Sequence, residues 1–222
     1  MVERATVNRL VVGSSPTVPA RAISSAVEHL PYKEIVTGSI PVSPMYKVID
    51  VGTDWIPGKE KLIKDLINLH LKNRVKYRTE KRNVCDASQY TTHIADHLAD
   101  VLQDNLPGLI FNDKKYDPPW VYVSNKNWTQ TYYHHHLPDN PHPSFYHRHL
   151  TTVFYLKNPG GALSIKDEVD LMPKEGQFVV FPLHTLHAPL PYHGEEYRIA
   201  LNVNFFTKNT YSDFLNISNQ TG

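Results

Sequence analysis

The stretch MPKEGQFVVFPLHTLHAPLPYHGEEYRIALNVNF, residues Met172 to Phe205, decides the fold of this chain. Pro173 and Gly176 frame a turn, and the apolar run after them is typical of a buried strand. His187 follows that strand after a short loop. The stretch ends in a second strand whose alternate residues would share one face: Arg198, Ala200, Asn202 and Asn204. Because an imidazole can bind a metal and a guanidinium can hold a carboxylate, the stretch indicates a metal site inside a barrel.

Short β-type runs separated by turn residues precede this stretch. From residue 109 onward the runs are LIF, WVYV, WTQTYY, TTVFYL, ALSI, QFVVF and finally YRIALNVNFF. Strands at this spacing are typical of a sandwich or a barrel. Residues 59–73 and 86–105 carry apolar side chains at helical spacing, which predicts two amphipathic helices before the barrel. MYKVIDVG, from residue 45, predicts an opening strand, so we expect a mainly β fold with N-terminal helices.

Composition limits the classes of protein that the sequence could represent. The 222 residues carry 23 Lys and Arg against 22 Asp and Glu, without the basic cluster that nucleic-acid or membrane-surface binding needs. The single cysteine, Cys85, excludes a disulfide framework and a cysteine-based zinc site. No apolar run approaches the roughly 18 residues of a membrane-spanning helix. Histidine is the unusual component, because six of the thirteen fall between His134 and His149.

Residues 1–44 differ from the rest of the chain. Ser, Thr, Pro and Val are abundant there and no helical or strand period persists, so the segment could not bury a core. VVGSSPTVP at residues 11–19 returns as IVTGSIPVSP at 35–44, with a step of 25 residues between the two Gly-Ser pairs. These strings resemble translated transfer RNA genes, whose length matches that step. We expect residues 1–44 to be a disordered or misassigned leader, and residues 45–222 to form the domain.

The stretch from Pro173 resembles the distal half of the 2-oxoglutarate and Fe(II)-dependent oxygenases. In that family a Pro and a Gly precede an apolar strand ending in Phe-Pro, and the distal iron-binding histidine follows. A basic residue further on binds the far carboxylate of 2-oxoglutarate. Matched residue by residue, His187 is the distal ligand and Arg198 is the co-substrate anchor. The resemblance covers residues 120–206 and implies a double-stranded β-helix, which is a jelly roll or cupin-like barrel.

TTVFYLKNPGGALSI, residues 151–165, resembles the third core strand of the same family. Tyr155 falls where related prolyl hydroxylases place a tyrosine hydroxyl on the 2-oxoglutarate carboxylate, although a core aromatic would also suit the position. Thr151 shares its strand face, because residues an even number apart point the same way. The resemblance therefore implies that Arg198, Tyr155 and Thr151 bind the co-substrate. Gly160 and Gly161 are interpreted as a turn.

The proximal half of the iron site departs from the family pattern. The family expects His-x-Asp or His-x-Glu, which completes a facial triad of two histidines and one carboxylate. No His-x-Asp exists here, and the region reads YYHHHLPDNPHPSFYHRH from residue 132 to 149. Tyr133-x-x-His136 followed by Asp139 resembles the prolyl hydroxylase string with one residue inserted. This hypothesis makes His136, Asp139 and His187 the iron ligands.

Two other ligand sets remain open. His134 and His136 keep strict strand alternation and would give an all-histidine site, as in cupin dioxygenases. His147 and His149 have the same spacing, but no turn residue separates them from the strand that starts near Thr151. That continuity assigns the second pair to the following strand.

The resemblance implies an enzyme that uses Fe(II), with 2-oxoglutarate and O2 as co-substrates and ascorbate as an accessory reductant. It would hydroxylate a small-molecule or peptidyl substrate and release succinate and CO2. Neutral charge disfavours a nucleic-acid substrate, and we expect a cytoplasmic protein with no membrane association. Transfer-RNA-like sequence upstream would suit a phage genome, hence the host cytoplasm. The alternatives are a cupin-type metalloenzyme that does not use 2-oxoglutarate, and a metal-free β-barrel binding module.

Overall fold

The structure, a computed structural model, describes residues 46–76, 84–106, 108–126, 132–138 and 149–208. Contacts between Cα atoms divide the chain into Met1–Pro41 and Val42–Gly222, and every described residue belongs to the second unit. The predicted leader, residues 1–44, lies outside the described residues. The assignment of residues 45–222 to one domain stays a prediction.

Strands and helices follow one another in a simple order within the described residues. Two helices interrupt the first strands, and the remaining strands follow without a helix. The elements are β1 (Lys47–Asp50), α1 (Lys59–Lys76), β2 (Val84–Asp86), α2 (Ser88–Asn105), β3 (Phe111–Tyr116), β4 (Trp120–Ser124), β5 (His149–Lys157), β6 (Leu163–Ile165), β7 (Val169–Leu171), β8 (Gln177–Pro182), β9 (His187–Pro189) and β10 (Arg198–Thr207).

The strands form a large and a small antiparallel sheet. The large sheet has the order β1-β8-β5-β10-β4-β2, and β3 pairs with β10 beside this path. The small sheet has the order β7-β6-β9. Consecutive strands alternate between the two sheets at β5/β6 and again from β7 to β10, which is the winding of a double-stranded β-helix. This architecture confirms the predicted fold class.

The large sheet is buried on both faces. One face packs on α1 and α2 through an apolar cluster that includes Leu66, Leu98, Phe154 and Leu201. The opposite face packs toward the small sheet through a second cluster that includes Phe181. Two buried faces explain why the central strands contain nearly continuous apolar runs. The chemistry-bearing side chains lie on the second face, inside the barrel.

The helices start or end a few residues from their predicted limits. α1 begins at Lys59 as predicted and extends to Lys76. α2 begins at Ser88 rather than at residue 86, because Asp86 belongs to β2. The Asp86 carboxylate accepts a hydrogen bond from the Ser88 N–H (2.9 Å), which lowers the pKa of Asp86. Neither described helix is long and apolar enough to cross a membrane.

Several strands differ from the sequence prediction. β2, β7 and β9 are each three residues long, too short to give an alternating pattern of their own. β3 consists of FNDKKY, whose charged residues favour no strand, and it pairs only with β10 among the described strands. Most of the predicted run WTQTYY lies outside the described residues. Its last two residues, Tyr132 and Tyr133, are not in a strand.

Gly176, in the turn before β8, provides a test of the packing. Gly176 has a φ of +83°, and a Cβ atom there would lie 2.6 Å from Gly52 Cα. We expect Gly176→Ala to lower the free energy of unfolding in urea by about 2 to 4 kcal/mol, since it combines strain with overlap. Gly58→Ala is the matched control, because Gly58 has a φ of +63° with open space around it. Equal losses in both variants would contradict the packing argument.

Candidate metal and co-substrate site

The short segment 132–138 carries two histidines into the barrel. His134 pairs with His187 of β9 through two backbone hydrogen bonds of 3.0 Å each. The His136 N–H donates to the Leu183 carbonyl at 3.0 Å, just after β8. These bonds fix the segment against two elements, and strand alternation then turns His134 and His136 to one side and His135 to the other. The side chain of His135 instead accepts from the Leu137 N–H (3.2 Å).

Three histidines converge inside the barrel. His134, His136 and His187 each offer a ring nitrogen, and these nitrogens lie within 4.8 Å of one another. The ring centroids are 4.4 Å apart for His134 and His187, and 4.9 Å apart for His136 and His187. No carboxylate joins this cluster among the described residues. Imidazole donors suit iron, zinc, copper and nickel, so the donor set fits Fe(II).

Hydrogen bonds fix the protonation of all three rings. The Nδ1 atoms of His134 and His187 face the carbonyl oxygens of Tyr132 (3.1 Å) and Thr185 (2.9 Å). A carbonyl only accepts, so each Nδ1 carries the proton and each Nε2 has a free electron pair. His136 Nδ1 lies 2.9 Å from Asn204 Oδ1 and takes the same tautomer. Three Nε2 atoms are therefore available to a metal, with their outer nitrogens held as in established metal sites.

Burial keeps these imidazoles neutral. It lowers the pKa of His136 to about 4, although Asn204 opposes this shift, and it lowers the pKa of His134. The pKa of His187 falls well below its ordinary value, through burial first and then through the neighbouring His136 and His134. A protonated imidazole cannot bind a metal, so the neutral forms match the chemistry of the site.

Arg198 is buried in the same barrel with 1% of its surface exposed. Its Nε donates to Ser124 Oγ (3.0 Å), and its two terminal nitrogens donate to the carbonyls of Ala162 (3.1 Å) and Leu190 (3.2 Å). All three acceptors are neutral, and they use three of the five N–H groups of a guanidinium. Arg198 makes no ion pair with a described residue. A buried positive charge of this kind is a binding point for an anion.

The surroundings of Arg198 leave its side chain little freedom. The guanidinium carbon lies 5.4 Å from the ring centroid of Tyr122 and 5.8 Å from that of Tyr192. A Cβ atom on Gly161 would overlap the Arg198 side chain and lie 2.8 Å from its Cζ. Gly161, interpreted from the sequence as a turn, therefore also provides the space that Arg198 occupies.

One cavity joins two of these histidines, His134 and His187, to Arg198. Its lining includes His134, His187, Tyr155 and Arg198 at depth. Burial raises the pKa of Tyr155, with Arg198 opposing, so its hydroxyl stays protonated and can donate a hydrogen bond. Toward solvent the lining includes Val84, Trp120 and Tyr132, of which Val84 and Tyr132 are exposed. No acidic side chain is among the described residues that line the cavity.

Thr151, which the resemblance assigns to the co-substrate, contacts His136 in the structure. It is fully buried, and its hydroxyl contacts Asn204 Oδ1 (3.1 Å) and His136 Nδ1 (3.2 Å). It is not among the residues that line the cavity. Asn204 was placed on the correct strand face by alternation, but sequence reasoning gave it no role. The hydrogen bond between Asn204 and Thr151 of β5 joins two strands that lie far apart in the chain, so the sequence does not predict it.

The other candidate ligands are placed as follows. Asp139 and His147 lie outside the described residues. His149 begins β5, away from the three-histidine cluster, and its Nδ1 faces the Thr207 N–H at 3.4 Å. Its ring packs edge-on against Phe206.

A double-stranded β-helix with inward histidines and a buried arginine can hold a metal and an anionic ligand inside the fold. Residues 122–206 match the sequence model of a family described as the 2OG-Fe(II) oxygenase superfamily. Residues 122–206, which run from β4 to β10, are therefore similar to that superfamily, and the match supports an oxidoreductase of the dioxygenase type. The match implies Fe(II) and 2-oxoglutarate as cofactors, and the cluster of His134, His136 and His187 is compatible with iron.

Similar folds occur among solved structures. The viral collagen prolyl hydroxylase of Paramecium bursaria Chlorella virus-1, solved with 2OG, is 19% identical, with a TM-score of 0.48 over 77% of this chain and 99% of that chain. The Trichoplax adhaerens prolyl hydroxylase, bound to a hypoxia inducible factor peptide, is 14% identical, with a TM-score of 0.47 over 73% and 83%. AviO1 from Streptomyces viridochromogenes Tue57 is 10% identical, with a TM-score of 0.49 over 73% and 90%. A comparison with curated protein sequences found no match.

The lowered pKa values predict a pH dependence for the metal-free protein. The unfolded chain binds protons to His136 near its ordinary pKa of 6.5, whereas the folded chain does so only near 4. Stability is therefore present above pH 6.5 and is lost as the pH falls toward 4. In chelator-treated protein, the free energy of unfolding should fall by about 2 kcal/mol from His136 alone between pH 7.5 and pH 5. His136→Gln should flatten this slope, and an unchanged slope in that variant would contradict the assignment.

Proposed function

We propose that the protein is an Fe(II)- and 2-oxoglutarate-dependent dioxygenase that hydroxylates a C–H bond of an organic substrate. One oxygen atom of O2 enters the substrate, and the other enters succinate as 2-oxoglutarate loses CO2. The observation that carries the proposal is a cluster of three histidines, two of which share a cavity with the buried Arg198, which has no counter-ion among the described residues. We assign the reaction to the cytoplasm from the sequence alone, and the phage origin also stays a prediction.

We assign His134, His136 and His187 as the protein ligands of the iron. Three protein ligands would leave positions open on the metal for 2-oxoglutarate and O2, as in the two-histidine, one-carboxylate triads. Bound there, Fe(II) with 2-oxoglutarate and O2 supplies the oxidising power that the side chains lack. The protein residues supply rigid donors, since each outer ring nitrogen is already held by a hydrogen bond.

Arg198 and Tyr155 would bind the far carboxylate of 2-oxoglutarate. Two N–H groups of Arg198 are left after its three neutral contacts, which is the number that a bidentate carboxylate needs. Tyr155 lines the same cavity with a protonated hydroxyl, and no hydrogen bond of this hydroxyl to a described residue competes for it. A carboxylate in this position would pair with the buried charge of Arg198, so that neither charge would be buried without a partner.

The substrate would enter at the exposed side of the cavity. Val84, Trp120 and Tyr132 line that side, and none of them is assigned as a ligand of the metal or of 2-oxoglutarate. They offer apolar and aromatic surface for a small molecule or a peptidyl side chain. The reacting C–H bond would face the cluster of His134, His136 and His187.

Loss of the Arg198 charge gives the first test of this function. We expect Arg198→Ala to weaken 2-oxoglutarate binding by roughly 30-fold or more, because one partner of a buried charge pair is removed. Calorimetric titration of 2-oxoglutarate into anaerobic Fe(II) protein measures this, and succinate release with ascorbate present reports turnover. Metal affinity should stay within about twofold, which also shows that the variant is folded.

Lys157→Ala is the matched control for that test, because Lys157 is a basic residue of β5 that pairs with Glu196 at the surface. It should leave 2-oxoglutarate affinity unchanged. Unaltered 2-oxoglutarate affinity in Arg198→Ala would overturn the proposed anchor. Tight metal binding without any 2-oxoglutarate binding in the parent protein would favour the cupin-type alternative, and absence of metal binding would favour the binding module.

The ligand set is tested by paired substitutions. His134→Ala and Asp139→Ala each remove one candidate third ligand beside His136 and His187. We expect His134→Ala to lose Fe(II) retention on desalting and Asp139→Ala to keep it. His135→Ala is the control, because its ring lies on the opposite face of the segment. The reverse result would favour the set of His136, Asp139 and His187.

A further inference from the structure

The three histidines of the cluster are held in two different ways. His134 and His187 each bond to a carbonyl two residues earlier in the chain, so their own backbone fixes their tautomers. His136 has a different support, in which its Nδ1 contacts Asn204, 68 residues away, and Thr151, 15 residues away. Only the support of His136 consists of side chains that a substitution can remove.

We propose that Asn204 and Thr151 are positioning residues that hold His136 as a metal ligand in the tautomer with a bare Nε2. The proposal rests on the proposed function, since it assumes that His136 binds the metal. It also gives Thr151 a role other than the co-substrate contact that the family resemblance implies. Neither residue would touch the metal, because both contact the Nδ1 side of the ring.

A histidine at this position needs such support more than a carboxylate would. Both oxygens of a carboxylate carry electron pairs, so no choice of tautomer arises. A neutral imidazole can carry its proton on either nitrogen, and only the Nδ1–H form leaves Nε2 free. The sequence resemblance places a carboxylate two residues after the first histidine, and His136 stands at that spacing from His134. Asn204 therefore bonds to His136, the residue that stands where the family has a carboxylate.

The geometry selects the required tautomer in two steps. Thr151 and Asn204 face each other across β5 and β10, and the Thr151 hydroxyl donates to Asn204 Oδ1 at 3.1 Å. This bond turns the amide oxygen, rather than the amide nitrogen, toward His136, where it accepts from Nδ1–H at 2.9 Å. A reversed amide would donate to Nδ1 and move the ring proton to Nε2, where it blocks the metal. The edge-on ring of Trp120, 5.2 Å from that of His136, limits rotation of the imidazole.

Cobalt(II) titration of the purified protein tests the proposal without relying on turnover, because bound Co(II) has a visible absorption band that reports its ligands. Asn204→Leu removes the acceptor at similar size, and it should weaken Co(II) binding by roughly 10-fold or more. Asn204→Asp keeps an acceptor and should bind within about threefold of the parent protein. Thr151→Val should weaken binding by a smaller factor, and Thr151→Ser should restore it.

Thr152→Val is the matched control. Thr152 is the next residue of β5, it is equally buried, and its hydroxyl donates to the Val203 carbonyl instead of to the site. It should lose stability in urea much as Thr151→Val does, yet keep the parent affinity and spectrum. If Asn204→Leu does not fold, the proposal is tested by the difference in Co(II) affinity between Thr151→Val and Thr152→Val, together with the Co(II) affinity of Asn204→Asp.

The outcomes separate the inference from the proposed function. Parent-like Co(II) affinity in Asn204→Leu and Thr151→Val, with weak binding in His134→Ala and His187→Ala, overturns the positioning role alone. Equal losses in Thr151→Val and Thr152→Val would show a general packing effect and overturn it as well. Parent-like binding in His134→Ala and His187→Ala overturns the ligand assignment, and the inference with it.

Discussion

The pairing of β10 with its neighbours is the constraint on which the site depends. β10 lies between β5 and β4 in the large sheet, and nearly all of its residues are buried. On one face Ile199, Leu201 and Val203 pack toward the helices. On the other face Arg198, Asn202 and Asn204 enter the barrel. A slip of one residue would drive Arg198 into the apolar helix interface, so burial of both faces fixes the register.

That register carries the site geometry across the sheet. Arg198 is opposite Ser124 of β4 and donates to its hydroxyl, while Asn204 is opposite Thr151 of β5. The same strand therefore positions the proposed co-substrate anchor at one end and the support of His136 toward the other. Side chains that alternate along a rigid central strand keep such spacings without a flexible loop. His134 and His136 come from the segment 132–138 outside the named strands, and His187 begins β9.

The parts of the site that the sequence predicts are those governed by short-range pattern. Alternation in β10 and β5 is visible in the residues themselves, and it put Arg198 and Tyr155 on the inner faces where the cavity lies. The run of three histidines is different. Alternation there shows that His134 and His136 share a face, but it does not show which face points into the barrel. Which rings point inward depends on the pairing of His134 with His187, a contact between residues 53 positions apart. The role of Thr151 likewise depends on Asn204, on another strand.

The short elements explain the remaining differences in the fold. β7 and β9 contain three residues each, which is too few for a period of two to stand out from the flanking loops. They exist because β6 provides pairing edges on both sides. The fold class was nevertheless predictable, since the long runs of β5, β8 and β10 carry most of the large sheet and show the pattern of strands buried on both faces.

The absence of acid in the described lining gives the cavity a definite electrostatic character. Arg198 brings a full positive charge, and burial holds the three imidazoles neutral, so the protein contributes no compensating negative charge there. A divalent metal in a three-histidine set would add to this charge, whereas a carboxylate ligand would offset part of it. The cavity therefore favours a dianionic ligand that spans from the metal to Arg198 more strongly than a carboxylate triad would. In the proposed ligand set, His136 in place of a carboxylate would leave the charge of the site to be offset by the carboxylates of 2-oxoglutarate.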